Sequence, residues 1–357
     1  MDLQKSGAAL LEWHARTERD LPWRGERDAY RIWISETMLQ QTRAAVAAKR
    51  YEEFLRAFPD VFALARAPEQ EVLRLWQGMG YYARARNLHK AARQLVERHG
   101  GAFPQEEKEL RALAGVGEYT ACAVLSMAFD RPVAAVDANL TRVLSRVFAL
   151  RGGAQERGRL LRETGERWLA ACAQDRPGDF NRALMGLGAL LCTAKKADCA
   201  ACPLAEHCAA HALGEELVLP EQPPKKPRRE EWRALAILIG KNRALVRKRP
   251  ARGMLAGLWE FPHFLFDEAA LSPENLAAAL AQEGVAARLF AQEVCRSEFT
   301  FTHRKWNIRA WRGELTGAPP DGWLLADAQQ LERLPVASVM EPYRQLALEL
   351  LREGKHE

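Results

Sequence analysis

The chain has little that would hold it in a membrane or outside the cell. No apolar run approaches the roughly 18 residues that a bilayer span requires. The opening segment MDLQKSGAALLEWHARTERD contains no signal-peptide core. An intracellular, cytoplasmic location is therefore expected. The sequence also lacks an internal repeat of fixed period, which leaves no solenoid or propeller to consider. Its seven cysteines, in a reducing compartment, are not expected to form a disulfide framework. With 48% hydrophobic and 27% charged residues, the composition is not that of a disordered chain.

Among what is present, 52 basic residues outnumber 46 acidic ones, giving a net charge of +6. That balance favours a polyanionic partner, either nucleic acid or an acidic membrane surface. At 357 residues the chain exceeds what one core usually holds, so about two domains are expected. Up to residue 219 the apolar periodicity is almost wholly helical. It starts with an amphipathic helix whose expected buried face is Leu3, Leu10, Leu11 and Trp13. Residues 220–231 (PEQPPKKPRREE) break the pattern with prolines and the basic cluster Lys225, Lys226, Arg228 and Arg229, and read as an extended linker. Beyond it, strand-like runs appear at Trp232–Ile239, Ala244–Arg249, Val294–Phe301 and Trp306–Trp311. Helical stretches near 275–283 and 341–352 are interleaved with them. The expectation is an all-α domain over 1–219 and an α+β domain over 232–357.

Four of the cysteines are crowded together as Cys192-x6-Cys199-x2-Cys202-x5-Cys208. Thiolates are soft ligands, and four in one loop suit either a tetrahedral zinc or a cubane iron–sulfur cluster. Only one C-x2-C pair is present, whereas structural zinc sites usually pair two. His207 and His211 nonetheless blur the ligand count. Cys122, Cys172 and Cys295 stand singly among apolar neighbours and read as small buried hydrophobes. Lys195 and Lys196 project from the same loop, either as a solvated turn or as phosphate contacts.

Residues 105–129 read as helix, then Leu113-Ala114-Gly115-Val116-Gly117, then a second helix at Glu118–Phe129. Glycines around one apolar residue make a tight turn with amides exposed at a helix start. Gly115, Val116 and Gly117 are thus either an anion site suited to a DNA phosphate or the plain helix–helix turn in which such a GxG often occurs. Shortly after comes Val136-Asp137-Ala138-Asn139-Leu140, where Asp137 stands in the position of an N-cap. LAGVGEYTA, VDANLTRVLSR and the four cysteines together resemble the helix–hairpin–helix DNA glycosylases of the endonuclease III superfamily. LPWR (Leu21–Arg24), SETMLQQTR (Ser35–Arg43) and GYYARARNLHKAA (Gly80–Ala92) narrow the resemblance to the MutY-type adenine DNA glycosylases. One departure is Ala114, where that family usually has proline, and the turn is expected to be slightly looser for it.

The resemblance implies base excision repair of adenine mispaired with 8-oxoguanine or guanine in double-stranded DNA. It also implies one [4Fe–4S] cluster on Cys192, Cys199, Cys202 and Cys208. A bacterial, nucleoid-associated monomer is expected. Bifunctional relatives carry a lysine nucleophile where this chain has Tyr119, so a monofunctional glycosylase is implied. Glu36 matches the general acid, with Trp33, Ile34, Met38 and Leu39 as apolar neighbours able to raise its pKa. On residue type alone, Glu36 would be an ordinary helix carboxylate. Asp137 matches the carboxylate that stabilises the sugar cation, and amide hydrogen bonds are expected to keep it ionised. Asn139 and Tyr119 match residues at the same centre. Arg19, Trp23, Arg24 and Leu39 match the adenine pocket, and Gln41 and Tyr82 the wedge that fills the vacated stack. The second domain resembles the Nudix fold at Arg247–Pro262 but lacks the Glu-rich magnesium helix, which points to recognition and not hydrolysis. Phe301-Thr302-His303 falls where the family has Phe-Ser-His, a loop implied to touch 8-oxoguanine. An exposed edge strand is the plainer reading of that triplet.

Overall fold

The computed structural model describes residues 2–17, 20–152, 154–221 and 227–353. The chain divides into two compact units, one of Met1–Ala67 with Arg86–Pro224, the other of Pro68–Ala85 with Lys225–Glu357. The first helices are α1 (Leu3–Thr17), α2 (Ala29–Leu39), α3 (Ala44–Ala57), α4 (Val61–Arg66), α5 (Glu69–Leu75) and α6 (Ala83–His99). They are followed by α7 (Glu107–Arg111), α8 (Glu118–Ala128), α9 (Ala138–Val147), α10 (Ala154–Cys172), α11 (Pro177–Leu190) and α12 (Ala209–Leu213). Of these, α5 falls in the second unit. Among the described residues every named strand lies after Arg229, in keeping with the helical periodicity of the first 219 residues.

The first unit is built on apolar stripes facing inward. Leu10, Leu11 and Trp13 of α1 join Leu140, Val143 and Leu144 of α9, Trp168 of α10 and Phe180 and Leu184 of α11 in one buried cluster. Leu3 is only partly buried against it. Burying a large apolar side chain contributes roughly 1.5–3 kcal/mol, so this face fixes α1 on α10 and α11. Elsewhere α2 packs on α8, which brings the two candidate chemical groups of the unit together.

In the second unit a seven-stranded mixed sheet has the order β3-β2-β1-β6-β5, with β4 on β1 and β7 on β2. Its strands are β1 (Arg229–Gly240), β2 (Arg243–Lys248), β3 (Trp259–Glu260), β4 (His263–Phe266), β5 (Ala287–Thr300), β6 (Arg304–Leu315) and β7 (Trp323–Ala326). β1 and β6 run parallel, in register from Arg229 against Arg304 to Ile239 against Glu314. Ala234–Leu238 is buried throughout, as expected of a central strand covered on both faces. Helices α13 (Pro273–Gln282), α14 (Ala328–Arg333) and α15 (Glu341–Glu353) complete the unit. β1 opens at Arg229, inside the run read as linker, because paired backbone continues to the Arg304 end of β6. Lys225 and Lys226 lie outside the described residues. The short strands β3, β4 and β7 and helix α14 leave too brief a pattern to read from sequence.

Pro68–Ala85, contiguous in sequence with the first unit, bonds to the second. Trp259 Nε1 donates to Gln70 Oε1 at 3.1 Å, Tyr82 Oη to the Val336 carbonyl at 3.1 Å, and Gln77 Nε2 to Glu341 Oε2 at 3.2 Å.

Gly7 marks the closest approach of α1 and α10. A Cβ there would lie 2.3 Å from Cys172 Sγ and 2.5 Å from its Cβ. Alanine in a helix interior normally gains about 1 kcal/mol over glycine. Overpacking a filled contact costs about 1–3 kcal/mol, and here it wins. Gly7→Ala should therefore lower the thermal midpoint of the first unit; an unchanged or raised midpoint would refute this packing.

Candidate functional site

The hairpin joins α7 to α8 through residues that only a narrow set could replace. Gly115 has φ +73°, and a Cβ on it would sit 2.6 Å from Asn87 Cβ. The buried Val116 donates its amide to the Leu113 carbonyl at 3.2 Å, closing the turn. Gly117 is the N-cap of α8 and offers no side chain to its first-turn amides, which therefore face outward as donors. Ala114 donates its amide to Gln94 Oε1 at 2.8 Å. Proline could not make that bond, so the turn expected to be looser has a tie of its own.

Helix α2 starts where Asp28 accepts from the Arg31 amide at 2.9 Å. Its residues Ile32–Met38 are all buried, so Glu36 is carried into the interior with only 4% exposure. Tyr119, on the first turn of α8, donates its hydroxyl to Glu36 Oε2. Gln40 Nε2 donates to Thr120 Oγ1 at 3.0 Å, fastening the same two helices. Burial drives the Glu36 pKa up to about 7; the Tyr119 hydrogen bond and Arg182 oppose the rise, while Asp137 adds to it. Such a carboxyl holds its proton near neutrality and can give it away.

Asp137 caps α9. Its Oδ1 accepts from the Leu140 amide at 2.7 Å and its Oδ2 from Asn139 Nδ2 at 2.8 Å. Amide hydrogen bonds are expected to keep Asp137 ionised; they do favour its charge, but burial outweighs them. Burial raises the Asp137 pKa above the ordinary carboxylate value, and the Leu140 and Asn139 bonds only offset part of that. Asn139 is itself held by Arg142, whose Nη2 donates to Asn139 Oδ1 at 2.9 Å and whose Nε donates to the Cys192 carbonyl at 2.6 Å. Arg146, one turn on and buried, donates from Nη1 to the Thr193 carbonyl at 2.9 Å and to Cys192 Sγ at 3.2 Å. Sequence reading missed both arginines. The available signal was their i, i+4 spacing on one side of an amphipathic helix.

Cys192, Cys199, Cys202 and Cys208 line one small space with Val143, Val147, Leu187 and Leu204 around it. Burial holds the Cys199 and Cys202 thiols up at about 11, with Glu216 adding to the rise at Cys199 and the neighbouring cysteines adding to both. Four soft donors facing one apolar-walled space, with a guanidinium on one sulfur, fit an iron–sulfur cube, and a bound cation would invert that pKa logic. His211 Nδ1 is 2.5 Å from Glu216 Oε1, and Cys199 Sγ is 3.6 Å from the same oxygen. These three residues form the other group of metal-capable donors at this place. His207 is not among them. Lys195 and Lys196 are exposed. Of the three single cysteines, Cys122 is buried, whereas Cys172 and Cys295 are only partly so.

The remaining expected residues divide. Arg19 lies outside the described residues. Trp23 is half-buried, its ring meeting Tyr51 edge-on at 5.3 Å; Leu39 is half-buried and Arg24 exposed. Gln41 is exposed with φ +57°. Tyr82 is corrected as a wedge: it is buried, its hydroxyl spent on Val336. Its neighbour Tyr81 is the exposed ring, at φ +48°, with its hydroxyl 2.9 Å from Thr302 Oγ1 in the same unit. The two tyrosines are adjacent, and no periodicity distinguishes them in sequence. Phe301 packs on Phe299 and Trp306, while Thr302 and His303 stand exposed on the turn between β5 and β6.

Within Arg247–Pro262, Glu260 is buried between Arg247, Arg249 and His263. Burial alone would raise its pKa, but His263 and Arg249 bring it down to about 2. Its oxygens are committed to these partners instead of to a divalent cation.

Residues 34–169 match the HhH-GPD superfamily base excision DNA repair proteins, and residues 233–346 match the NUDIX domain. The chain is 35% identical to an adenine DNA glycosylase of Mus musculus, over 87% of this chain and 70% of that protein. To the Homo sapiens counterpart it is 34% identical, over 87% of this chain and 67% of the relative. An Arabidopsis thaliana relative of the same name is 36% identical, but the chain spans only 49% of its length. Among solved structures, a thermostable thymine-DNA glycosylase aligns at TM-score 0.53 and 31% identity, over 58% of this chain and 95% of that one. A trapped endonuclease III–DNA covalent intermediate aligns at TM-score 0.50 and 22% identity, covering 58% and 95%, and shows the shared fold. With a helical hairpin unit, a Nudix-like sheet unit and this degree of identity across both, the chain belongs to the adenine DNA glycosylases.

Proposed function

We propose that the chain is a monofunctional glycosylase that excises adenine opposite 8-oxoguanine or guanine in duplex DNA. The observation that carries this reading is the buried Glu36 carboxyl, poised near pH 7 against the Tyr119 hydroxyl and within the field of Asp137. Adenine leaves poorly as an anion. A proton delivered from Glu36 to the ring makes it a neutral leaving group. The electron-poor sugar left behind is stabilised by the Asp137 carboxylate, which Asn139 orients through its amide. Tyr119 cannot supply an amine, so no Schiff base forms at the position where lyases carry lysine.

Trp23, Arg24 and Leu39, with Arg19, are the residues for the extruded adenine. Gly115, Val116 and Gly117 hold a phosphate by their amides. Gln41 and Tyr81 suit the wedge, since both are exposed side chains held in a left-handed backbone conformation. Thr302, bonded to Tyr81, and His303 meet the lesion, with Phe301 packed behind them. Cys192, Cys199, Cys202 and Cys208 would hold a [4Fe–4S] cluster. When bound, the cluster supplies four fixed bonds that give the loop one shape. No described helix is long and apolar enough to cross a membrane, and a monomer working in the bacterial cytoplasm at the nucleoid fits this role.

Single-turnover excision should fall as pH rises through about 7, because Glu36 must carry its proton. The Tyr119 hydrogen bond lowers that pKa, so Tyr119→Phe should move the alkaline limb to higher pH. Glu36→Gln should cost about a hundred- to ten-thousand-fold in rate. Near-parental excision by Glu36→Gln would remove Glu36 as the acid. On a duplex with one A:8-oxoguanine pair, strand scission should appear only after alkali; scission without it would favour a lyase.

The purified protein should contain about four irons and absorb broadly near roughly 400 nm. One zinc and no iron would overturn the cluster assignment.

His303→Ala should still excise adenine opposite guanine. It should lose roughly 1–3 kcal/mol of preference for 8-oxoguanine, read as the ratio of rates on the two mispairs at one salt concentration. An unchanged ratio would leave the turn without a part in recognition.

A further inference from the structure

The phosphate-binding hairpin is bordered by carboxylates, an unexpected setting for a group meant to hold an anion. Glu107 lies at the start of α7, and Glu118 follows Gly117 directly as the first residue of α8. Glu166 approaches from α10. Left bare, these three would oppose a phosphate at the outward-facing amides of the hairpin. A single side chain answers all of them. Arg162, on α10, donates from Nη2 to Glu107 Oε2 at 2.6 Å and from Nη1 to Glu107 Oε1 at 3.0 Å. It also donates from Nη1 to Glu118 Oε1 at 2.8 Å and from Nε to Glu166 Oε1 at 2.9 Å.

The location makes this more than a surface ion pair. Arg162, Glu118 and Glu166 form part of the wall of a cleft of about 650 Å³ that Tyr119, Val136 and Thr141 also line. The cleft wall thus holds both Glu118, which directly follows the hairpin, and Tyr119, which touches Glu36. Arg162 is only 26% exposed, and its partner Glu107 25%, so their contact is partly shielded from water. The other charged groups facing Arg162 are Arg111, which shares Glu107 at 3.1 Å, and the neighbouring Arg159–Glu163 pair at 3.2 Å. A planar guanidinium reaches three carboxylates at once because its N–H groups fan out in one plane.

Resting on the reading of the hairpin as a DNA phosphate site, we propose that Arg162 is a positioning residue for DNA binding. It offsets one of the three negative charges of Glu107, Glu118 and Glu166 and ties the starts of α7 and α8 together, so that the hairpin amides meet the phosphate against less negative charge. Its effect on DNA passes through those carboxylates and not through a bond to the phosphate.

The test is duplex affinity of full-length protein carrying Arg162→Gln, Arg162→Lys, Glu118→Gln or Arg162→Gln with Glu118→Gln. The duplex holds one A:8-oxoguanine pair, and titrations are run at low and at moderate salt. Parental binding and excision test the hairpin reading itself, so failure there is distinguishable from failure of the inference. Arg162→Gln should weaken binding about tenfold at low salt, and the deficit should shrink at moderate salt as the exposed carboxylates are screened. Adding Glu118→Gln should recover most of that loss. Arg162→Lys keeps the charge but not the fork that spans three carboxylates, so its affinity should fall between the parent and Arg162→Gln, which guards against a glutamine variant that folds poorly. A double variant as weak as Arg162→Gln, a deficit insensitive to salt, or equal loss in the lysine and glutamine variants would each overturn the proposal. So would parental affinity in Arg162→Gln.

Discussion

Taking an ionised carboxyl out of water is costly enough that a protein usually neutralises the group instead, and the surroundings of Glu36 are arranged around that cost. Helix α2 must be apolar on nearly every face to bury it, which accounts for the run Ile32–Met38 having no exposed residue. α8 must then supply the one polar contact, and Tyr119 does so from the helix's first turn. Because that turn begins at Gly117, the hairpin that suits a phosphate and the tyrosine that touches the acid are set by the same backbone. Shifting α8 by one residue would move both.

Asp137 meets a related cost with more hydrogen bonds to its charged form, which offset part of the rise that burial causes. It is partly buried as well, but a capped helix start and the Asn139 amide work to keep its charge. Two carboxyls in one site thus meet different balances of desolvation and hydrogen bonding, which is how acid and base roles are separated. Arg142 extends that arrangement to the backbone of the cysteine loop. The shape of that loop therefore bears on Asn139 through two hydrogen bonds, quite apart from whatever the loop does at the DNA surface.

Sequence alone made some of this legible and hid the rest for identifiable reasons. Helices α1, α8 and α9 follow from apolar spacing and turn residues, since burial of one face dictates both. The four cysteines were visible because thiols cluster for few reasons. On residue type alone the depth of Glu36 was not visible, as an acidic residue amid Trp33, Ile34 and Met38 is consistent with either face; only the resemblance pointed inward. Tyr81 and Tyr82 could not be told apart, because the left-handed backbone at Tyr81 turns one ring outward and its neighbour inward. The assignment of Pro68–Ala85 to the second unit also escaped, for its contacts, among them those of Gln70, Gln77 and Tyr82, are with residues far along the chain.

That assignment changes how recognition is distributed. Tyr81 belongs by its contacts to the Nudix-like unit, and its hydroxyl is already bonded to Thr302. Threonine at this place keeps the oxygen that such a pairing needs, and its added methyl lies on an exposed turn where there is room for it. The turn in turn hangs from β1 through the Arg229 amide on the His303 carbonyl, and from Glu231, which accepts from Arg304. Glu231 is buried and shared with Arg233, whose guanidinium stacks 4.0 Å from the Trp306 ring centre. The turn proposed to read the lesion would have to resist bending under a base. Beneath it the buried Glu231 pairs with Arg233 and Arg304, while Thr302 and His303 on the turn are exposed.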